Sequence, residues 1–251
     1  MTDLLVSVVI PVHNEERQIE QCLRSAVNSF IDGADAFSRD EVEFLIVDAR
    51  SSDNTPQMVA RLCNELAEQG VQVFSLISDQ AGRAQQMNYG AARAKGEALL
   101  FLHSDTRLGF ESNTGISTEL RKFLKSPHAW GFCTVSFDAG SWQFSMLRFM
   151  INFRSRLFSI STGDQTQFVK AGRFRDIGGF ASQPLMEDIE LSKALKHVSK
   201  PYVASTQSIT SARKWTKEGF WRTVLLMWHL RYSYWRGASA ESIHKRYYKA
   251  N

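Results

Sequence analysis

Cysteine is scarce: Cys22, Cys63 and Cys133 are the only three in 251 residues, odd in number and far apart. They exclude a disulfide framework and a paired-cysteine zinc pattern, and read as buried thiols in a reducing compartment. Long apolar runs are also missing. No stretch reaches the roughly 20 residues of a membrane span. The opening MTDLLVSVVIPVHNEE carries no basic leader, so a cytoplasmic protein is expected. The first apolar run is followed by PVHNEERQ instead of a Gly-rich turn, which rules out the dinucleotide fingerprint and the Walker loop. Repeats, low-complexity tracts and linkers are absent, and residues 1–251 are expected to form one domain.

Acidic residues run short in one place. The net charge is +4, but residues 211–251 hold nine Lys/Arg against two Asp/Glu, while the preceding 210 residues hold 21 against 24. That basic tail also contains Trp215, Trp221, Trp228 and Trp235. Such a mixture suits an anionic membrane surface or a phosphate-bearing ligand, and no nucleic acid partner is expected.

What is present in the first half is an alternation. VSVVIPV (6–12), VEFLIVDA (42–49), VQVFSLI (71–77) and ALLFLHSD (98–105) read as strands. Residues 15–30, 54–70 and 83–96 read as the helices between them. Repeated βα units with near-continuous apolar strands imply a parallel sheet covered by helices on both faces. After residue 128 the rhythm changes. Residues 129–138 read as a longer strand, and residues 140–160 as a helix with Met146, Phe149, Met150, Phe153 and Leu157 on one face. An acidic helix start at 186–197, short strands near 201–210 and an aromatic helix around 217–236 follow.

In a parallel sheet the C-terminal strand ends share one edge. Here they deliver Asn14, Glu15, Asp48, Asp53 and Asp105. Each alone is an ordinary turn or cap residue, but several acids on one edge repel unless ligand hydrogen bonds or a cation compensate. The edge is suited to accepting hydroxyls and amide protons, or to holding a hard metal.

Five segments then carry a specific resemblance: SVVIPVHNEE, LIVDARSSDNT, AGRAQQMNYGAARAKGEALLFLHSDT, GDQTQFVKAGRFRDIGGF and MEDIELSKAL. In this order and spacing the chain resembles glycosyltransferase family 2 along nearly its whole length. Its SARKWTKEGFWRTVLLMWHLRYSYWRG ending is similar to the single-domain "transferase 2" or arsenosugar-biosynthesis branch. The resemblance implies a GT-A fold, with a Rossmann-like, mostly parallel central sheet and helices on both faces. It divides the chain into a nucleotide-sugar half (1–128), an acceptor half (129–210) and a basic aromatic tail (211–251).

It also implies roles. Pro11, Val12, Glu15, Asp48, Arg83 and Asn88 would bind the donor. Asp105 would be the retained acid of a D-x-D motif that holds Mg²⁺ or Mn²⁺; His103, where the motif has its first acid, is either a second ligand or a packed or water-bonded histidine. Asp188, paired with Glu187, would be the catalytic base. Gly163, Asp164 and Gln165 would form the acceptor side, and Arg213 and Lys214 would steady the departing diphosphate. The implied reaction is inverting sugar transfer from a nucleotide-diphosphate sugar to a hydroxyl acceptor, either a small molecule or lipid-linked. A lipid-linked acceptor would bring the protein to the inner face of the cell membrane.

Two departures stand out. The usual D-G-x-S-x-D-x-T loop reads DARSSDNT, with Ala49 and Arg50 at its start, so Arg50 is a further candidate for donor phosphate. The D-x-D motif reads His103-Ser104-Asp105 and keeps one acid. The competing functions are a nucleotide-sugar-binding protein without catalysis and a nucleotidyltransferase. The second normally wants a basic Gly-rich loop where PVHNEERQ stands.

Overall fold

The computed structural model describes residues 4–32, 35–109 and 115–250, apart from the side chains of Lys214 and Ala250. Its first half alternates β1 (Val6–Val12), α1 (Ile19–Ile31), β2 (Val42–Asp48), α2 (Thr55–Glu68), β3 (Gln72–Ile77), α3 (Arg83–Ala91) and β4 (Ala98–Phe101). β1 and β2 are buried along their whole length because helices cover both sides. Side chains alternate across a strand. Val6, Val8, Ile10 and Val12 therefore join Leu23 of α1 and Leu62 of α2 in one core. Val9 points the other way, onto Met87 of α3, Phe174 and Leu191.

The remaining elements are β5 (Thr106–Gly109), α4 (Ile116–Lys125), β6 (Trp130–Phe137), α5 (Trp142–Phe158), β7 (Gln167–Lys170), α6 (Ala171–Asp176), α7 (Glu187–Lys196), β8 (Tyr202–Thr210), α8 (Arg213–Glu218), α9 (Phe220–Trp235) and α10 (Ala240–Ala250). The eight strands form one sheet in the order β3-β2-β1-β4-β7-β6-β8-β5. β1 to β4 are parallel, β7 runs antiparallel to both β4 and β6, and β6 pairs with β8 in parallel. The architecture is the α/β, mostly parallel sheet expected.

Three details depart from the sequence expectations. The fourth strand stops at Phe101 instead of Asp105. A turn closed by Thr106 N–H to the His103 carbonyl (3.1 Å) redirects the chain, and β5 crosses to the far edge to pair with β8. The short strands near 201–210 are one nine-residue strand, with a register shift opposite Cys133 and Thr134. On α5 the buried side chains are Phe144, Leu147, Ile151 and Ser155. The expected face is turned outward: Phe149, Phe153 and Leu157 are 57–68% exposed. α5 has two apolar stripes, and the one carrying Phe144 and Leu147 is the one that meets Val135 of β6 and Val224 of α9.

Candidate functional site

The sheet edge beneath β1, β2 and β4 opens into a cleft of ≈ 680 Å³. Pro11, Val12 and Glu15 come from the end of β1, Arg83 from the start of α3, and His103, Ser104 and Asp105 from the turn after β4. Gln86 of α3 ties the floor together, donating to the carbonyls of Val12 (2.7 Å) and Val47 (2.8 Å). The far wall is Ser182 to Leu185, Glu187, and His244, Tyr247 and Tyr248 of α10. A smaller cavity of ≈ 190 Å³ adjoins it, lined on its own side by Gly163, Asp164, Asp188, Trp215, Thr223 and Arg231. Arg83, His103, Asp105, Glu187 and Tyr247 face both spaces.

Asp188 sits in the first turn of α7, which Met186 enters with a left-handed backbone (φ 66°). Its two carboxylate oxygens accept from Gly163 N–H and from Ile189 N–H, both at 2.7 Å. Two charge-assisted bonds on opposite oxygens fix the plane of the carboxylate. Gly163 is required for a second reason: a Cβ there would collide with the His103 ring. The backbone of Asp188 is held as well, its carbonyl accepting from Gln167 at 3.2 Å.

Electrostatically the junction is crowded with acids. Glu187 is 4% exposed, and burial, then the nearby Asp188 charge, push its carboxyl up to about 7. Arg83 lies 3.8 Å from it, which partly offsets the rise. Asp164 is pushed up to about 6 by burial and then by Asp105. Burial also raises Glu15, against a hydrogen bond from Ser104. Desolvation and adjacent like charge are the two effects that favour the neutral acid, and their concentration at one cleft marks a functional site.

Of the residues singled out in the sequence, Pro11, Val12, Glu15, Arg83, His103, Asp105, Gly163, Asp164, Glu187 and Asp188 line these two spaces. Four others are engaged elsewhere. Asp48 is buried beneath its own loop, accepting from Ser51 N–H and Oγ. Asn88 brackets Phe180 through 2.9 Å bonds to both its N–H and its carbonyl, which clamps the Gly178–Gly179 turn. Gln165 is fully buried, with Oε1 accepting from Ser155 at 2.7 Å. Arg213 is exposed and lines neither space, because Trp215 takes the inward position of α8. The backbone of Lys214 is helical, and its side chain lies outside the described residues. Arg50 holds a left-handed backbone (φ 54°) and pairs with Asp79 at 2.6 Å on the surface.

His103 is buried beside Asp105 and faces both spaces. Its ring packs against Gly163, and burial followed by the Arg83 charge keeps it neutral, well below the ordinary histidine range. Among the described residues no three His, Cys, Asp or Glu side chains converge as a self-contained metal cage. The donor set fits a different kind of cation site. Asp105 is exposed at the meeting of the two spaces, and Mg²⁺-type ions are commonly held by one or two carboxylates together with substrate phosphates and water.

Sequence inspection missed Thr223, His244 and Tyr247, and it placed Trp215 and Arg231 only within a basic aromatic tail suited to a membrane surface or a phosphate-bearing ligand. Thr223, Met227 and Arg231 recur every fourth residue and line the smaller cavity together. That spacing was the available signal, hidden among aromatics.

Comparison with known proteins identifies the family and the fold. The probable glycosyltransferase YdaM of Bacillus subtilis is 26% identical, the match covering 74% of this chain and 45% of YdaM. TarS of Staphylococcus aureus, a poly(ribitol-phosphate) β-N-acetylglucosaminyltransferase, is 30% identical over 106 residues, 42% of this chain and 17% of TarS. The chain thus spans less than half the length of these two relatives. A solved structure of TarS 1–349 with UDP-GlcNAc shares the fold at TM-score 0.60 and 19% identity, covering 82% of this chain and 58% of that one. The mannosyltransferase PcManGT of Pyrobaculum calidifontis, solved with GDP-Man and Mn²⁺, superposes at TM-score 0.67 and 18% identity, over 100% of this chain and 69% of its own. The family model for glycosyl transferase family 2 matches residues 7–174, which take in the strands that floor the cleft and the turn that carries Asp105, and the chain belongs to that family.

Proposed function

We propose that this chain transfers a sugar, with inversion, from a nucleotide-diphosphate sugar in the larger cleft to a hydroxyl of an acceptor in the smaller cavity. The observation that carries the proposal is the Asp188 carboxylate, fixed by two backbone N–H groups in the smaller cavity, next to Glu187, which faces both spaces. In this scheme the acceptor oxygen attacks the anomeric carbon and passes its proton to Asp188. The bond from that carbon to the diphosphate oxygen breaks, and its electron pair leaves with the nucleotide. One displacement inverts the centre. Arg83, at the mouth of both spaces, faces the charge that develops on the diphosphate. Glu187 holds Arg83 in place, and His103 fills the space beneath Gly163.

A divalent cation, when bound through Asp105 and the donor phosphates, would supply further positive charge to the leaving group. The nucleotide sugars in TarS and PcManGT, and the Mn²⁺ in the second, support this choice of donor class and cation. Calorimetry with UDP-, GDP- and dTDP-sugars, followed by an assay for acceptor-independent donor hydrolysis, is the test. Binding with hydrolysis is expected. Binding without any turnover, even with candidate acceptors, would leave the catalytically silent binding protein as the better description.

We also propose that the outer face of α5 and α9 rests on an anionic membrane surface. Trp142, Phe149, Phe153, Trp221, Trp228 and Trp235 are each more than half exposed. The two helices meet through Trp142 and Trp221, whose rings lie 6.3 Å apart. Arg156, Arg222 and Arg236 are exposed beside them, and neither helix contains an acidic residue. No helix among the described residues is long and apolar enough to cross a membrane, so the contact would be peripheral and salt-sensitive. Co-sedimentation with phosphatidylcholine vesicles, with and without phosphatidylglycerol, tests it. Binding to anionic vesicles that is lost at high salt is expected. No binding at low salt, or a concentration-dependent dimer with no vesicle binding, would overturn it.

A further inference from the structure

The inner faces of the same two helices hold two arginines that the transfer scheme does not use. Arg154 of α5 and Arg231 of α9 each bury an Nε atom that has no hydrogen-bond partner. Arg231 lines the smaller cavity directly. Arg154 lies close enough for the two guanidiniums to repel: burial, and then Arg231, lower it to about 9. Its Nη2 makes only a long 3.4 Å bond to Ser155 Oγ. Among the described residues neither guanidinium forms an ion pair, although each is attracted by Asp164 and Asp188.

Those two acids are poor counter-ions. Asp188 already directs one oxygen at Gly163 N–H and the other at Ile189 N–H. Asp164 is driven toward its neutral form by burial and by Asp105. Leaving a buried donor on a charged group unsatisfied is costly, and two like charges brought together out of water add to that cost. Arginine remains protonated at neutral pH even so. A fold that maintains such a pair, one member of which lines a cavity, has a use for an anion there, and the planar forks of arginine match phosphate oxygens in pairs.

We infer that the smaller cavity is a phosphate subsite, in which Arg231, backed by Arg154, binds a phosphate group of the acceptor and so presents the acceptor hydroxyl to Asp188. The inference rests on the assignment of this cavity to the acceptor. The phosphate comes either from a free phosphomonoester or from a lipid headgroup. The requirement on the cavity is the same for both.

Trp215 lines the cavity and provides a reporter. The experiment follows tryptophan fluorescence and calorimetry in protein whose larger cleft is first filled with a nucleoside diphosphate and Mn²⁺. Glycerol phosphate, glycerol and inorganic phosphate are then titrated at constant ionic strength. Saturable binding of glycerol phosphate and inorganic phosphate, at least tenfold tighter than glycerol, is expected. Arg231→Met should weaken it by tenfold or more, Arg231→Lys by less, and Arg154→Met by an intermediate amount, all with nucleotide affinity unchanged. A short-chain phosphatidic acid below its micelle concentration separates the two sources. Tighter binding than glycerol phosphate assigns the lipid, and equal binding the free ester. Equal affinity for glycerol and glycerol phosphate in the wild type would overturn the subsite, and that comparison needs no variant to fold. Unchanged phosphate affinity in a folded Arg231→Met protein would do so too. Failure of the nucleotide to bind in the first step would instead count against the transfer scheme, and the phosphate titration of the unfilled protein would still be read.

Discussion

The two spaces that meet at Asp105 are built on opposite principles. The larger cleft is floored by strand ends and backbone carbonyls that Gln86 ties together, with Asp105 exposed at its lip. The smaller cavity is lined by the turn at Gly163, the start of α7 and the inner faces of α8 and α9, and burial displaces the proton affinities of its ionisable groups: Asp164 and Glu187 upward, Arg231 downward. A large polar ligand needs a pre-formed cradle. A proton transfer needs a carboxylate whose surroundings are dry and fixed. Under the proposed scheme the cleft would hold the donor and the cavity would host the proton transfer, and substitutions should separate them.

The largest effect is expected on the cavity side. Asp188→Asn keeps the shape but cannot take a proton, and should lower turnover by about two to four orders of magnitude with donor affinity nearly intact. Steady-state kinetics with nucleotide calorimetry on the same preparation checks this, and near-normal turnover would remove Asp188 from the chemistry.

On the cleft side, Asp105→Ala should weaken donor binding about tenfold or more in Mg²⁺ or Mn²⁺ and little in EDTA. Calorimetry of the wild type with and without chelator is the control. Indifference of the wild type to chelation would discard the cation.

The contact between Gly163 and His103 comes next. Gly163→Ala drives a methyl into His103 and displaces the N–H that orients Asp188. A stability loss of about 1–3 kcal/mol should accompany a fall in turnover. Loss of donor affinity without loss of turnover would contradict the arrangement.

The smallest expected effect is a pH dependence. Glu187 titrates near its usual 4.5 when unfolded but near about 7 when folded. The folded state therefore binds that proton more tightly. The associated stability is complete below pH 4.5 and is lost as pH rises through about 7. Glu187→Gln does not titrate, so it should gain on the wild type by about 1–3 kcal/mol between pH 4.5 and 8. Denaturant titrations across that range measure the gain, and a constant difference would show that Glu187 is not proton-linked.

The cleft was far more legible in the sequence than the cavity. Strand–helix alternation with fully apolar strands leaves little choice but a covered parallel sheet, and the acids that follow each strand then share an edge. That logic located Glu15 and Asp105, and the family motifs located Gly163 and the Glu187–Asp188 pair. It failed for Asp48 and Asn88 because a side chain just past a strand or helix can satisfy its own loop as readily as a ligand. In α5 both stripes are apolar, so periodicity alone could not say whether Phe144 or Phe149 would be buried. The inward arginines were indistinguishable from the outward ones for the same reason. Arg154 and Arg156 are two residues apart, and only tertiary packing decides which is enclosed.

The crossing of β5 to the far edge has a consequence for the order in which the molecule can be completed. Thr106 pairs with Thr210 and Gly109 with Gln207, so β5 has no strand partner until the chain has been laid down about a hundred residues further on. β1, β2, β3 and β4 can pair long before that. The turn bearing Asp105 joins these early and late parts: α1 holds it through Cys22 Sγ on the His103 and Thr106 carbonyls and Ser29 Oγ on the Leu108 carbonyl, and β8 adds the strand pairing last. A chain ended between Lys196 and Tyr202 would keep β1 to β4 and α3 and leave β5 without its strand partner. Donor affinity would then depend on residues that never approach the donor.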